Sequence, residues 1–223
     1  KSIPFWSWNS KLDEGELCRQ IDDMHQAGMG GFIIHARTGL QEEYLGEKWF
    51  SCISACLQKA KSLQMQVWIY DENGWPSGFV GGKLLENDAF RARFLEYKTG
   101  AFDTEAYASF VKTETGYARI EKPIPGKDEY HNIYLRVSPA NTDILNPDVV
   151  AAFIQETHEK YFERFAASFG KTLVGFFTDE PQFYRWATPY TSCGEDYFED
   201  IRDSLVWLFV PDKEGWEFRT KYY

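Results

Sequence analysis

Five apolar residues, Leu173-Val174-Gly175-Phe176-Phe177, run without a break and then stop at Thr178-Asp179-Glu180-Pro181. An uninterrupted apolar run of this length reads as a strand buried on both faces, the kind found in parallel sheets flanked by helices. Such sheets place their chemistry at the C-terminal ends of the strands. Here that end carries two carboxylates followed by a strand-breaking proline. The same four residues also suit a helix cap or a solvated turn, so their meaning depends on what the rest of the chain sets beside them.

The preceding chain repeats one rhythm. Ile3 to Asn9 reads as a short opening strand. Asp13 then starts a helix with Glu16 three residues on, a capping-box-like pair. Leu17, Ile21 and Met24 give that helix an apolar face, and Gly28 ends it. Gly31 to Ala36 is a second apolar strand, closing on His35 and Arg37. A helix is expected over about Glu47 to Leu63, with Phe50, Ile53, Leu57 and Ala60 on one side. Gln66 to Glu72 is a third strand, and Asn73-Gly74-Trp75-Pro76-Ser77-Gly78 is a loop. The order β-α-β-α-β with short joints predicts parallel neighbours linked by right-handed crossovers.

From about Phe90 to Asn141 the rhythm changes to short β-type runs at Ala108 to Val111, Tyr117 to Ile120 and Asn132 to Val137. This stretch is expected to be an antiparallel insertion after the third strand, within one domain covering residues 1–223. Asn146 then caps a helix with Pro147 at its first position. Val150, Phe153, Ile154, Thr157, Tyr161 and Phe165 form its expected inward face, and Gly170 ends it. After Pro181 come an aromatic loop, a helix over about Glu195 to Leu208, and a tail to Tyr223.

Four β/α units amount to half of an eight-fold barrel. An open doubly wound sheet is the alternative. Its glycine-rich phosphate fingerprint is missing, because Gly28, Gly30 and Gly31 precede the second strand instead of following a strand into a helix. The expected fold is therefore α/β, a partial TIM-barrel-like array of about four β/α repeats with a β-rich insertion near residues 90–141.

Composition narrows the partners. With 223 residues, 43% hydrophobic and 17% aromatic, the chain can bury a substantial core. Lys plus Arg number 24 against 34 Asp plus Glu, a net charge of −10, which argues against nucleic acid or an anionic membrane as partner. No apolar run approaches the ~20 residues of a membrane span. Cys18, Cys52, Cys56 and Cys193 have no metal-type spacing, and the first three fall in helical patterns as reduced thiols. A cytoplasmic setting is expected, with secreted or periplasmic location left open.

The four strand ends collect Trp6, Trp8 and Asn9; His35 and Arg37; Asp71, Glu72 and Trp75; and Asp179 and Glu180. Together these suit a sugar, whose C–H faces stack on indole and whose hydroxyls pair with Asp, Asn, His and Arg. Glycoside hydrolysis uses two carboxyl groups facing the scissile bond, one of them protonated. Plainer roles exist for each residue. The tryptophans suit packing at the barrel mouth, His35 suits a satisfied structural histidine, and Asp71 suits a pair with Arg37. Asp13, Glu14 and Glu16 are helix-start charges, His158 is a structural or surface residue on a helix, and the acids from Glu195 to Asp203 form a solvated helix face. A metal-dependent amidohydrolase would show an H-x-H pair where this chain has Trp6-Ser7-Trp8. A phosphate-binding barrel would show glycine-rich loops after later strands.

Five segments appear in a family order: P-F-W-S-W-N at Pro4 to Asn9, G-G-F-I-I-H-A-R at Gly30 to Arg37, Y-D-E-N-G-W-P-S-G at Tyr70 to Gly78, L-N-P at Leu145 to Pro147, and F-T-D-E-P at Phe177 to Pro181. Together they resemble the bacterial glycoside hydrolases related to the family 106 α-L-rhamnosidases, whose catalytic domain is a (β/α)8 barrel. The resemblance implies hydrolysis of a terminal rhamnoside-like glycoside, with the acid/base role falling on Glu180 and Asp179 beside it. It also implies an inverting mechanism and an active-site calcium, with no ligands assigned. Family members are longer, so the resemblance covers their N-terminal half and places the second catalytic carboxylate on a later strand. Two copies are expected to pair over the open sheet edges. The alternative function is a non-catalytic carbohydrate-binding or structural fragment.

Overall fold

A computed structural model describes residues 1–181; the helix expected near 195–208, the aromatic loop and Cys193 lie outside the described residues. In chain order the elements are β1 (Phe5–Trp8), α1 (Glu14–Gln26), β2 (Gly31–Ala36), α2 (Glu47–Ser62), β3 (Gln66–Asn73), 3-10 turns at Val80–Glu86 and Asp88–Phe90, β4 (Arg91–Gly100), β5 (Ala108–Thr113), β6 (Gly116–Ile120), β7 (Tyr130–Thr142), α3 (Pro147–Ile154), a π turn (Gln155–Glu159), α4 (Lys160–Phe165) and β8 (Leu173–Phe177). The fold is mixed α/β, with a four-stranded parallel sheet ordered β1-β2-β3-β8 and an antiparallel sheet ordered β4-β7-β5-β6.

Alternation along the strands sorts the parallel sheet into two unlike faces. Trp6, Trp8, Phe32, Ile34, Ala36, Val67, Ile69, Leu173 and Phe176 join Leu17, Ile21, Trp49, Ile53, Cys56 and Tyr161 of the helices in one core. The registers Phe5↔Ile33, Ser7↔His35, Ile33↔Trp68 and Tyr70↔Phe177 define the opposite face. On it Phe5 is 53% exposed, and its ring meets Phe177 with centroids 4.9 Å apart. Those two strands are the sheet's edges, three spacings or about 14 Å apart if the sheet were flat. The sheet therefore curls towards the helix-free face.

Local chemistry explains the element ends. The Asp13 side chain accepts from the Glu16 N–H at 2.9 Å, which is the capping half of the expected box. Glu16 does not reach back; its carboxylate takes Arg19 and Gln20 instead. Gly31 lies so close to β3 that a Cβ there would sit 2.2 Å from the Gln66 carbonyl oxygen. Residue 31 must be glycine for the two strands to pair. In α2 the buried set is broader than the expected stripe, adding Trp49, Cys52 and Cys56 to Phe50, Ile53, Leu57 and Ala60. Cys18, Cys52 and Cys56 are free thiols, each pushed up from the ordinary thiol range by burial.

The helix expected from Asn146 to Gly170 forms as α3, the π turn and α4, and its buried positions differ from the expected ones. Asn146 caps it through the Asp148 N–H, as Pro147 foretells. Val149, Phe153, Thr157 and Tyr161 are buried, whereas Val150 and Ile154 are 40% and 42% exposed. Four-residue steps overshoot a 3.6-residue turn by about 40° each, so a straight helix cannot keep this series inward. The π turn at Gln155–Glu159 supplies the wider repeat and keeps Tyr161 in the core, where its hydroxyl accepts from Trp49 Nε1 at 2.9 Å.

The described residues fall into two compact units, 1–92 with 138–181, and Arg93–Val137. The second has its own small core of Tyr97, Ala108, Phe110 and Ile133 with Leu95 and Tyr117 against it. Its strand β4 carries no clean apolar alternation, with Arg91, Arg93, Glu96 and Lys98 interleaved, and only the other three strands are evident from sequence. Among the described residues, no helix is long and apolar enough to cross a membrane.

Candidate active site

Glu72 shows how the end of β3 is built. Its carboxylate is fully buried and accepts five main-chain N–H groups, from Asn73, Gly78, Phe79, Val80 and Gly81. Val80 and Gly81 both take left-handed backbone, φ 56° and 61°, which points consecutive amides at one anion. Burial pushes the Glu72 carboxyl up from its ordinary range, against the amide bonds that favour the charged form. Glu72 is thus the centre on which the loop 73–81 is wound.

Asp71 is also fully buried and also spent on the protein. Its Oδ1 accepts the Ser77 hydroxyl at 2.6 Å and its Oδ2 the Thr178 hydroxyl at 2.5 Å. His158 Nε2 lies 3.2 Å from the same Oδ2, while its Nδ1 is 2.8 Å from the Thr157 hydroxyl. The partners of Asp71 are therefore Ser77, Thr178 and His158; the pairing with Arg37 expected as its plain role does not occur.

Asp179 is fixed on three sides. The Tyr70 hydroxyl donates to its Oδ2 at 2.8 Å. Its N–H donates to Ser77 Oγ, and its carbonyl accepts the Ser77 N–H, both at 2.9 Å. Burial first, and then Asp179, hold the Tyr70 phenol well above its ordinary range, so it stays a donor. Glu180 follows with φ 38°, a left-handed conformation that costs a residue with a side chain roughly 1–2 kcal/mol. Its side chain is exposed. Strain of this kind at a strand's C-terminal end, beside an immobilised acid, is a recognised mark of function.

His35 and Trp75 complete the neighbourhood. The His35 ring stacks on Tyr70 with centroids 3.4 Å apart and planes at 14°. Its Nε2 lies 3.0 Å from the Gly74 carbonyl oxygen; that oxygen only accepts, so the proton sits on Nε2. Burial lowers the imidazole below its ordinary range. Trp75, at the tip of the loop that Glu72 organises, is 42% exposed.

The other expected residues divide between the helix-covered face and the strand ends. Trp8 is buried on the helix-covered face against Trp49, and Trp6 is half-buried on that face with its Nε1 donating to Gln20. Asn9 and Arg37 are exposed beyond the ends of β1 and β2, joined through the Arg37 N–H to the Trp8 carbonyl. Tyr70, Ser77 and Thr178 were inside the noted motifs but without assigned roles. Ser77 bonds the acid six residues before it, whereas Tyr70 and Thr178 each stand next to one acid and bond the other, Tyr70 crossing to Asp179 and Thr178 to Asp71.

The calcium implied by family resemblance finds no shell among the described residues. Among the described residues no group of three or more His, Cys, Asp or Glu side chains comes together to hold a metal. Asp71 and Glu72, the obvious oxygen donors, already have their oxygens filled by protein donors.

No family model matches the chain, and no curated protein does. Among solved structures the chain is similar to the rhamnosidase from Novosphingobium sp. PP1Y, at 14% identity and a TM-score of 0.33, over 50% of this chain and 11% of that one. The chain thus spans about a tenth of that protein's length. A likeness of this size carries no argument, and the function is argued from the site.

Proposed function

We propose that the chain is glycosidase-like, carrying part of a (β/α) barrel active site with Glu180 as proton donor and Asp179 as its neighbouring carboxylate. The observation that carries the reading is the pairing of an immobilised acid with a strained, exposed one at the C-terminal end of β8. Glu180 delivers a proton to the departing glycosidic oxygen. Asp179, oriented by Tyr70 and Ser77, places negative charge beside the oxocarbenium-like centre. A further carboxylate, outside the described residues, activates water. Trp75, Asn9 and Arg37, all exposed, are the sugar contacts, His35 supports them from below by holding Tyr70 and the Gly74 carbonyl, and rhamnoside-like substrates are the first to try.

The barrel reading has its own support. The parallel strands run in sequential order and the helices pack on one face, whereas doubly wound sheets reverse order and cover both. The opposite face curls inward around Phe5, His35, Tyr70 and Phe177, as the interior of a barrel does. Further strands, or a second copy, would cover it.

The test is Glu180→Gln assayed on a panel of 4-nitrophenyl glycosides that includes the α-L-rhamnoside. Turnover should fall by about 100-fold or more, the scale of a lost general acid. Undiminished hydrolysis would remove Glu180 from the reaction. Absence of turnover in the unsubstituted chain, together with a melting temperature raised by free sugars, would favour the carbohydrate-binding alternative.

A further inference from the structure

A buried carboxylate has to be satisfied by donors, and the identity of its donors tells what it serves. Those of Asp71 come from three places: Ser77 in the loop after β3, Thr178 after β8, and His158 on the π turn. None of its oxygens is left facing solvent, since the residue is fully buried. It is therefore badly placed to hold a sugar hydroxyl.

Ser77 is the relay. Its hydroxyl proton is committed to Asp71 Oδ1, which turns an oxygen lone pair towards the Asp179 N–H. Its main-chain N–H meanwhile takes the Asp179 carbonyl. One serine thus clamps both main-chain polar groups of Asp179, and the direction of its hydroxyl is set by Asp71. Thr178, the residue before, is tied to the other oxygen of the same carboxylate. The strained Glu180 follows directly on this clamp.

We infer that Asp71 is a positioning residue, which holds the 178–180 turn in its reactive geometry through the hydroxyls of Ser77 and Thr178 and does not itself touch substrate. The inference rests on the glycosidase reading of Glu180. His158 is the third member of the bracket and fixes Asp71 from the helix side.

Thr178 gives the cleanest handle, because it is exposed and can lose its hydroxyl without opening a cavity. In the full chain, Thr178→Val and Asp71→Asn should lower kcat by about 10- to 100-fold, the scale of an ångström-level misplacement, with KM within about twofold. Thr178→Ser, which keeps the hydroxyl, should restore kcat to within about threefold of the unsubstituted chain. Thr178→Val at full kcat would overturn the inference, as would a KM rise matching the kcat loss in Asp71→Asn. Glu180→Gln run alongside separates the two levels: if it retains turnover, the glycosidase reading itself falls and the inference with it.

A second readout needs no substrate. Hydrogen exchange of the Asp179 amide should quicken by about tenfold or more in both Ser77→Ala and Asp71→Asn, because its acceptor is lost or misdirected. Unchanged exchange in Asp71→Asn would show that Asp71 does not set the clamp.

Discussion

The Tyr70 hydroxyl reaches Asp179 Oδ2 at 2.8 Å, joining an aromatic of β3 to the acid two residues past β8. Tyr70 is held in turn by the His35 ring stacked upon it. Three neighbouring strands of the parallel sheet therefore contribute to the placement of one carboxylate. Tyr70→Phe keeps the stack and deletes the bond. The expected cost is about 1 kcal/mol in stability and a kcat lowered by about tenfold. Denaturant midpoints and hydrolysis rates check both, and an unchanged kcat would detach Tyr70 from the reaction.

Glu72 is expected to matter for stability alone. In Glu72→Gln, one of the two oxygens becomes an NH2 group facing main-chain donors, leaving buried amides without acceptors. The cost should be about 2 kcal/mol, or about 4–8 °C in melting temperature for a domain of this size. A midpoint shift under 1 °C would mean that the five-amide cage is not what holds the 73–81 loop.

Glu180 offers the opposite trade. Glu180→Gly relieves left-handed strain but adds unfolded-state freedom, for a net gain of about 0.5 kcal/mol, or about 1–2 °C. The same substitution removes the proposed proton donor and should abolish turnover. A variant that melts higher and does nothing is the expected result; one that melts lower would show that φ 38° is unstrained in this setting.

Acid sensitivity should trace partly to His35. Burial lowers its folded-state value below that of the unfolded chain, near 6.5. The associated stability is present above about pH 6.5 and is lost as pH falls through the lower, folded-state value. His131, lowered by burial in the same sense, adds to the slope in both proteins and cancels in a comparison. The unsubstituted chain should thus lose more stability between about pH 7 and 5 than His35→Gln does. Urea midpoints across that range decide it, and parallel slopes would rule His35 out.

The strand and helix positions were legible because each carries a period: apolar runs for β2, β3 and β8, and capping residues at Asp13 and Asn146. The face of the last helix was not, because a π turn changes the period midway without any marking residue. Strand β4 was hidden by its interleaved charges. At the site, Asp179, Glu180 and Trp75 stood out by type and place. What sequence could not show is that Asp71 and Glu72, equally acidic and adjacent, both turn inward, Glu72 to amides as much as nine positions on and Asp71 to hydroxyls 6 and 107 positions away. Burial, not residue type, separates Asp71 and Glu72, which shape the loop, from the half-buried Asp179 and the exposed Glu180.

The cage around Glu72 has a consequence for how this protein can change. Every donor in it is a main-chain N–H, so the cage bonds no side chain of the loop and constrains residue type only where the backbone is left-handed, at 78, 80 and 81. Trp75, at the loop's exposed tip, contributes nothing to the cage. Such a loop works as a rigid mount with an interchangeable bit. Drift or selection can replace the tip, and with it the molecule the site prefers, while one hidden glutamate keeps the mount in shape.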